Sequence, residues 1–513
     1  MAVIFFALFL RTNDLDTRPL HVDEAVHAVK FGELLEKGFY KYDPVEYHGP
    51  TLNYFTLISS SLSNVHSFKE LTEYTIRIVP AITSIVFILI VAFFFRQKEF
   101  SLNLLIIFLL SISSVFVFYS RYYIQEVLLV SYTYIFLILL FEYLSERKFI
   151  HIVLVGIFAG LIFATKETSI IVFGVTVVSL IILYFLDTNI KQNFSYSINH
   201  LLMFIISALA VSILFYSSFF SNYEGILDSL KTFSNYFTKA AENIDHVHPW
   251  YYYIDLLIYT NNDKIFYTDL FILLFAFGGM FYSFFSNQDN KNTSFFRFIS
   301  IYSLFQFIIY SAIPYKTPWL VLNFWIGFLF LSAFGIFQTY LLLNKRLIKV
   351  VYLSIVSLVL INSLWQTFKV NFEFPYQPEN PFTYSQATMD VVNLSEKINS
   401  LAETTIEQKD ILINVVAPND DYWPLPWYLR KFNNVAWNSE VKNSVYKFPI
   451  IISVPAYEEK IIEKLYTVPP SGQKNLYIPL IDDYHELRPG IEIRSYIQKD
   501  ILDIYLRNRE ESK

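Results

Sequence analysis

The 513-residue chain contains no cysteine. Disulfides, thiolate ligands and thiol nucleophiles are therefore excluded, and any part facing an oxidising compartment must fold without covalent staples. Glycine is scarce, at 13 residues, and no Gly-rich stretch has the spacing of a nucleotide-phosphate loop. Charged residues make up only 16% of the chain, and the net charge of −6 offers no basic surface for nucleic acid. No internal repeat or low-complexity segment is visible. What fills the chain instead is apolar: 54% of residues are hydrophobic, with 52 Phe and 38 Tyr. Several separate runs approach the ~20 residues needed to cross a bilayer, which reads as a polytopic membrane protein.

Residues 2–10 are apolar but too short to span unaided, and they lack the basic flank and cleavage site of a signal peptide. They are expected to be a first transmembrane helix whose beginning precedes this start. Residues 14–75 are mixed, with stretches near 22–37 and 50–62 that read as interfacial helices. Ten further spans are expected at roughly 76–95, 102–120, 124–144, 150–165, 168–186, 200–219, 265–286, 296–313, 318–339 and 347–366. Short loops on one side carry ten cations: Arg96, Lys98, Arg147, Lys148, Lys191, Lys291, Arg297, Lys345, Arg346 and Lys349. Those on the other side carry three, Arg121, Lys166 and Lys316. The positive-inside bias makes the first set cytoplasmic, and places loop 14–75, loop 220–264 and the tail outside. After residue 370, alternating runs at 411–416 and 450–454 read as strands and 386–402 and 456–466 as helices. The expected fold is thus a mostly α membrane bundle of about 11 transmembrane helices over 1–369, with a small extracytoplasmic α/β domain over 370–513.

Charge beside hydrocarbon is costly and tends to persist where it pairs or does chemistry. Five charged or polar clusters fall on the outer side: His21-Val22-Asp23-Glu24 with Tyr47-His48-Gly49-Pro50, Arg121 to Glu126, Lys166-Glu167, Tyr315-Lys316-Thr317, and the loop around His246 and His248. Asp23 and Glu24 point about 100° apart on a helix, so one can face a site while the other orients neighbours. Desolvation would raise such a carboxyl toward the range of a general base, while the plainer reading is an acidic pair at a helix N-terminus. Asp23 and His27 are four apart on one helical face, a candidate pair of ligands for Mg or Mn. The commoner state of such a histidine is solvated or hydrogen-bonded, and no cofactor is required by the pattern. His48 reads as a hydrogen-bonding substrate contact. Arg121, Lys166 and Lys316 form a cationic set suited to phosphate, beside Glu126, Glu167 and Tyr315. Singly, each cation also reads as a snorkelling anchor, and Arg121 and Glu126 could pair across their turn. The aromatics of residues 421–430 suit sugar stacking, an interfacial belt or an ordinary core.

The blocks LRTNDLDTRPLHVDEAVHA, YDPVEYHGPTLNYF, FYSRYYIQE, ATKETS, IPYKTPWLVLN and DDYWPLPWYLR, in that order across nearly the whole chain, resemble the flippase-activity-associated proteins of archaeal N-glycosylation. That family is similar in turn to the C-type (GT-C) glycosyltransferases, including protein O-mannosyltransferases and the lipid A aminoarabinose transferase. The resemblance implies a helix bundle with a catalytic first outer loop and a sugar donor on polyprenyl phosphate. It implies that Asp23 is the base, with Glu24 beside it, and that Glu126 is a second acidic position. The chain departs from the pattern in carrying Glu rather than Asp there and in its short first helix.

The function expected is an inverting hexosyltransferase of the plasma membrane, passing a sugar to a lipid-linked glycan or protein acceptor on the extracytoplasmic face. The alternatives are a non-catalytic accessory or transport protein for flipping lipid-linked glycans, and a scaffold. Transporters usually carry internal repeats and mid-membrane helix breaks, whereas here the charges gather at one face.

Overall fold

A computed structural model describes the chain except for residues 46–47, 97–98, 194–196, 243–245, 263, 287–289, 482 and 512–513; Lys98 therefore lies outside the described residues. The chain divides into two compact units, one of residues 1–15, 37–64 and 74–384, the other of residues 16–36, 65–73 and 385–513.

The first unit is a helix bundle. Among the described residues seven helices are long and apolar enough to cross a membrane, an eighth span is a bent pair, and three shorter apolar helices bring the apolar segments to eleven. The chain is a multi-pass membrane protein. Over an apolar 18-residue stretch, 94% of the residues of Glu126–Glu146 and of Pro318–Leu342 are buried, against 6% for Ile198–Tyr216. The first two are therefore central, and the last is peripheral, with its apolar side chains left for lipid. That peripheral helix packs closely on Phe149–Phe163 at Gly156 and Gly160, where an added Cβ would lie 1.9 Å from Ser207 Oγ and 2.6 Å from the Ala208 carbonyl. Small residues four apart let helix backbones approach where no water is present to drive association.

The span expected at 102–120 is not straight. Phe100–Ile112 and Ser114–Ser120 meet at a 56° bend. Ser113 sits at the break, its hydroxyl accepting from the Phe116 amide at 3.5 Å and from Trp325 Nε1 at 2.9 Å. A capping serine held by a buried indole starts a new helix inside an apolar run. The span expected at 265–286 begins later, at Leu270, because residues Thr260–Asn262 and Ile265–Tyr267 pair as an antiparallel hairpin.

The second unit is α/β. Its five-stranded sheet runs Asn434–Asn438, Leu412–Val416, Ile450–Ser453, Arg494–Gln498, Tyr477–Pro479 across, the first three parallel and the last two antiparallel to their neighbours. Val416, Val445, Ile451, Ile461 and Tyr496 close one core. The helices Met389–Ala402 and Glu458–Thr467 stand where the sequence places them. Part of the first loop belongs to this unit: the Leu20 amide donates to Tyr428 Oη at 2.8 Å, and Gln386 Nε2 to the Pro19 carbonyl at 2.8 Å. Trp427 is buried, and its indole donates to Glu73 at 2.8 Å. That indole is therefore core, not a sugar platform.

Candidate active site

The candidate residues fall in both units. In the α/β unit, Asp23 and Glu24 open the helix Val22–Lys37, where carboxylates favour the exposed amides and the positive end of the helix dipole. They have divided their work. Glu24 is 0% exposed; both its oxygens lie 3.2 Å from Arg18 Nη2, and it accepts from the His21 amide at 3.0 Å. A buried carboxylate satisfied in this way is a structural anchor. The half-buried Asp23 carboxylate has no partner among the described residues, and its amide donates to His21 Nδ1 at 3.0 Å. His27 is buried one turn further along the same helix. Among the described residues no three His, Asp or Glu gather as a metal group. Asp23 and His27 could supply two ligands, and a hard cation held by so few protein groups completes its shell with phosphate and water oxygens.

In the bundle, the short loop between helices Phe149–Phe163 and Ser169–Leu186 carries the buried Lys166 and the partly buried Glu167. Lys166 Nζ pairs with Glu126, the first residue of the central helix Glu126–Glu146. Burial disfavours the lysine's charge, but Glu126 and Glu167 outweigh it and raise the pKa above its ordinary value. Tyr315 lies within electrostatic reach of the same ammonium. Glu167 Oε2 lies 2.9 Å from His48 Nδ1. Burial works against the Glu167 carboxylate too, but His48 and Lys166 hold its pKa down at about 2.

The segment bearing His48 is fastened to that loop. Gly49 crosses so close that a Cβ would lie 2.2 Å from the Ala164 carbonyl oxygen. The Thr51 amide donates to the same carbonyl at 3.3 Å, and the Thr51 and Thr165 hydroxyls are 2.8 Å apart. The structure thus brings His48, Glu126, Lys166 and Glu167 into one chain of contacts; Tyr47 lies outside the described residues.

Arg121 and Lys316 make contacts elsewhere on the chain. Arg121 donates to the carbonyls of Leu10, Asn13 and Asp14 at 3.0, 2.6 and 3.0 Å and lies over the Phe372 ring. Lys316 is buried and donates through Nζ to the His248 carbonyl at 3.0 Å. A short β-bridge between Val247 and Tyr315 ties the two loops together. The His248 ring stacks on Tyr252 at 4.3 Å.

No protein-family model matches the chain, and no curated protein matches it. Solved structures do. ArnT from Cupriavidus metallidurans in the apo state superposes with a TM-score of 0.64 at 13% identity, over 96% of this chain and 97% of that one. The same protein bound to undecaprenyl phosphate gives 0.62 at 12% identity over the same shares. The Archaeoglobus fulgidus oligosaccharyltransferase complexed with Zn and sulfate gives 0.54 at 12% identity, over 97% of this chain and 72% of that one. The chain has the GT-C fold. At these identities the likeness concerns the path of the backbone. A GT-C backbone explains why the charged residues gather at helix ends and loops, since the helices themselves are committed to lipid and to one another.

Proposed function

We propose that the chain is a GT-C glycosyltransferase of the plasma membrane that moves a hexose from a polyprenyl-phosphate donor to a lipid-linked glycan or protein acceptor on the extracytoplasmic face. The observation that carries this reading is the fold match over 96% of the chain to an ArnT structure with undecaprenyl phosphate bound. In the reaction proposed, Asp23 takes the acceptor hydroxyl proton as that oxygen attacks the anomeric carbon, inverting it. Polyprenyl phosphate departs, its charge met by Lys166 and Lys316, with Arg121 supporting the first segment. The Asp23 carboxylate, without a partner among the described residues, supports the role of base, because a general base must have a lone pair to offer. Mg or Mn at Asp23 and His27 would add charge for phosphate binding, and loss of lipid-phosphate affinity on chelation would support it.

The test is transfer in vitro: purified protein, polyprenyl-phosphate hexoses, and lipid-linked or peptide acceptors. Asp23→Asn should lower the rate by roughly 10²–10⁴-fold while keeping donor binding. Wild-type turnover in that variant would move the role of base to Glu126 or Glu24. Absence of transfer with every donor, alongside translocation of lipid-linked glycan in vesicles, would establish the transport reading instead.

A further inference from the structure

Trp427 is core, but other aromatics of the α/β unit are not. Tyr422, Trp423 and Trp437 are all partly exposed. The Tyr422 ring lies 4.9 Å from the Trp437 ring at 40° and 6.2 Å from the Trp423 ring at 31°, which joins the three into one aromatic patch. Residues 417–424, which carry two of the rings, leave the carboxyl end of strand Leu412–Val416. Trp437 is next to last in the parallel neighbouring strand Asn434–Asn438. From Leu412–Val416 the chain runs to one flank of the sheet and then, at Ile450–Ser453, to the other. Open α/β sheets bind their ligands outside the carboxyl ends of the strands, at such a reversal of order.

The loop that presents the patch is tied down. Arg488 donates through Nη1 to the Trp423 carbonyl and through Nη2 to Asp421 Oδ1, each at 2.7 Å. The Asp421 amide donates to the Pro418 carbonyl at 2.9 Å, and the Trp423 amide to that of Asp420 at 3.2 Å. Asn419 and Asp420 take left-handed φ values of 50° and 59°, which their residue types tolerate. Around the rings the rim is acidic. Asp420 and Glu440 are exposed, and Asp421 Oδ2 has no partner among the described residues. Residues 417–424 and 438–440 contain no lysine or arginine, and Arg488 is engaged by Asp421. Burial and the neighbouring Asp420 carboxylate push the Tyr422 hydroxyl up to about 12, so it stays neutral.

A ligand for this patch must bring an apolar face to the rings and hydrogen-bond donors to the carboxylates, and it must carry no negative charge. A neutral pyranose meets all three conditions, with C–H groups on its faces and hydroxyls around its edge. Tyr and Trp also give contact area at low entropic cost, because they have few rotatable bonds. We propose that residues 417–424 and Trp437 form a binding site for a neutral saccharide on the α/β unit. The rings of Tyr422, Trp423 and Trp437 cover a face of the sugar, and Asp420, Asp421 and Glu440 accept from its hydroxyls. Use of this site to hold a glycan acceptor rests on the glycosyltransferase reading above; the binding itself does not.

The experiment is saturation-transfer NMR and calorimetric titration of the full chain in nanodiscs with neutral disaccharides of glucose, mannose, galactose and N-acetylglucosamine. In wild type, saturation should reach the ring C–H protons of a bound sugar. Trp437→Leu keeps an apolar side chain on the edge strand and should weaken binding roughly tenfold or more, while Trp437→Phe should retain most of it. Asp420→Asn, compatible with the left-handed backbone there, should weaken binding about fivefold and leave thermal unfolding unchanged. A phosphorylated form of the bound sugar should bind more weakly than its neutral parent. Tighter binding of the phosphorylated form would overturn the assignment. So would loss of saccharide binding in Asp23→Asn with Trp437→Leu unaffected, which would place the sugar among the residues of the transfer reaction. Binding of a Pro-rich peptide at Tyr422 and Trp437, with no saccharide binding, would make the patch a peptide groove instead. No saturation from any of the disaccharides in wild type would also overturn it, and would leave the glycosyltransferase reading to its own transfer assay.

Discussion

Lys166 and Glu126 are each other's partner in a setting with little water, and that decides what mutating either one will do. Removing one member of a buried pair strands the other charge, at a cost of about 3–5 kcal/mol. Lys166→Ala is therefore expected to lower the unfolding temperature as well as phosphate affinity. Lys166→Met combined with Glu126→Gln should recover most of the stability and none of the phosphate preference, as read by thermal unfolding in detergent alongside lipid titration. Equal instability in the single and double variants would show that the pair is not coupled. Glu24 and Asp23 offer the complementary contrast. Glu24→Gln should damage folding, because Arg18 loses its counter-charge and one of the two carboxylate oxygens becomes an amide donor facing Arg18 or the His21 amide, whereas Asp23→Asn should not. This division of labour was legible as a possibility in the sequence, since neighbours on a helix face different ways. Which one turned inward depended on Arg18, and nothing in the order of residues names that partner. The same holds for Arg121, whose three carbonyl acceptors lie 107 to 111 positions away.

At the scale of elements, hydropathy located the helices because lipid demands continuous apolar runs of a known length. It did not locate the break at Ser113, where a serine in an apolar run looks like any small residue until Trp325, 212 positions on, is seen to bind it. Strands Leu412–Val416 and Ile450–Ser453 were readable from their buried β-branched runs, while Asn434–Asn438 and Tyr477–Pro479 sit at the sheet's edges with mixed polarity. The glycines at 156 and 160 give a sharper test of how the bundle holds together. Gly160→Leu would drive a side chain into the Ala208 carbonyl and Val211, so helices Phe149–Phe163 and Ile198–Tyr216 must part. The backbone oxygen cannot yield as a side chain would. The expected result is a fall in thermal stability and readier proteolysis near residue 216, with Gly160→Ala milder. A Gly160→Leu protein as stable as wild type would mean that lipid, not the partner helix, supports that surface.

For the molecule as a whole, the decisive question is which way it faces, because a glycosyltransferase taking its donor from outside needs Asp23, His48 and Lys166 on that side. Ten cations between the expected spans on one side stand against three on the other, and a bias of that size orients a polytopic chain during insertion. The absence of cysteine makes the test clean, since any introduced thiol is unique. Two exposed positions outside the proposed site suit it: Ser63, just after helix Thr51–Leu62, and Asn344, in the turn between Leu342 and Arg346. In intact cells Ser63→Cys should react with a membrane-impermeant maleimide, and Asn344→Cys should react only after permeabilisation. The reverse pattern would turn the chain over, put Asp23 and the Lys166 loop in the cytoplasm, and require a donor presented from the inner leaflet. Labelling of both positions in intact cells would mean that an odd number of the apolar helices between them fails to cross. The three short ones, Ala2–Thr12, Phe149–Phe163 and Leu270–Phe285, depend most on tilt or bilayer thinning to span, and the latter two lie between the labelled positions. A further cysteine at Lys191→Cys, between helices Ser169–Leu186 and Ile198–Tyr216, would then separate them: labelling in intact cells would put the failure at Phe149–Phe163, and labelling only after permeabilisation at Leu270–Phe285.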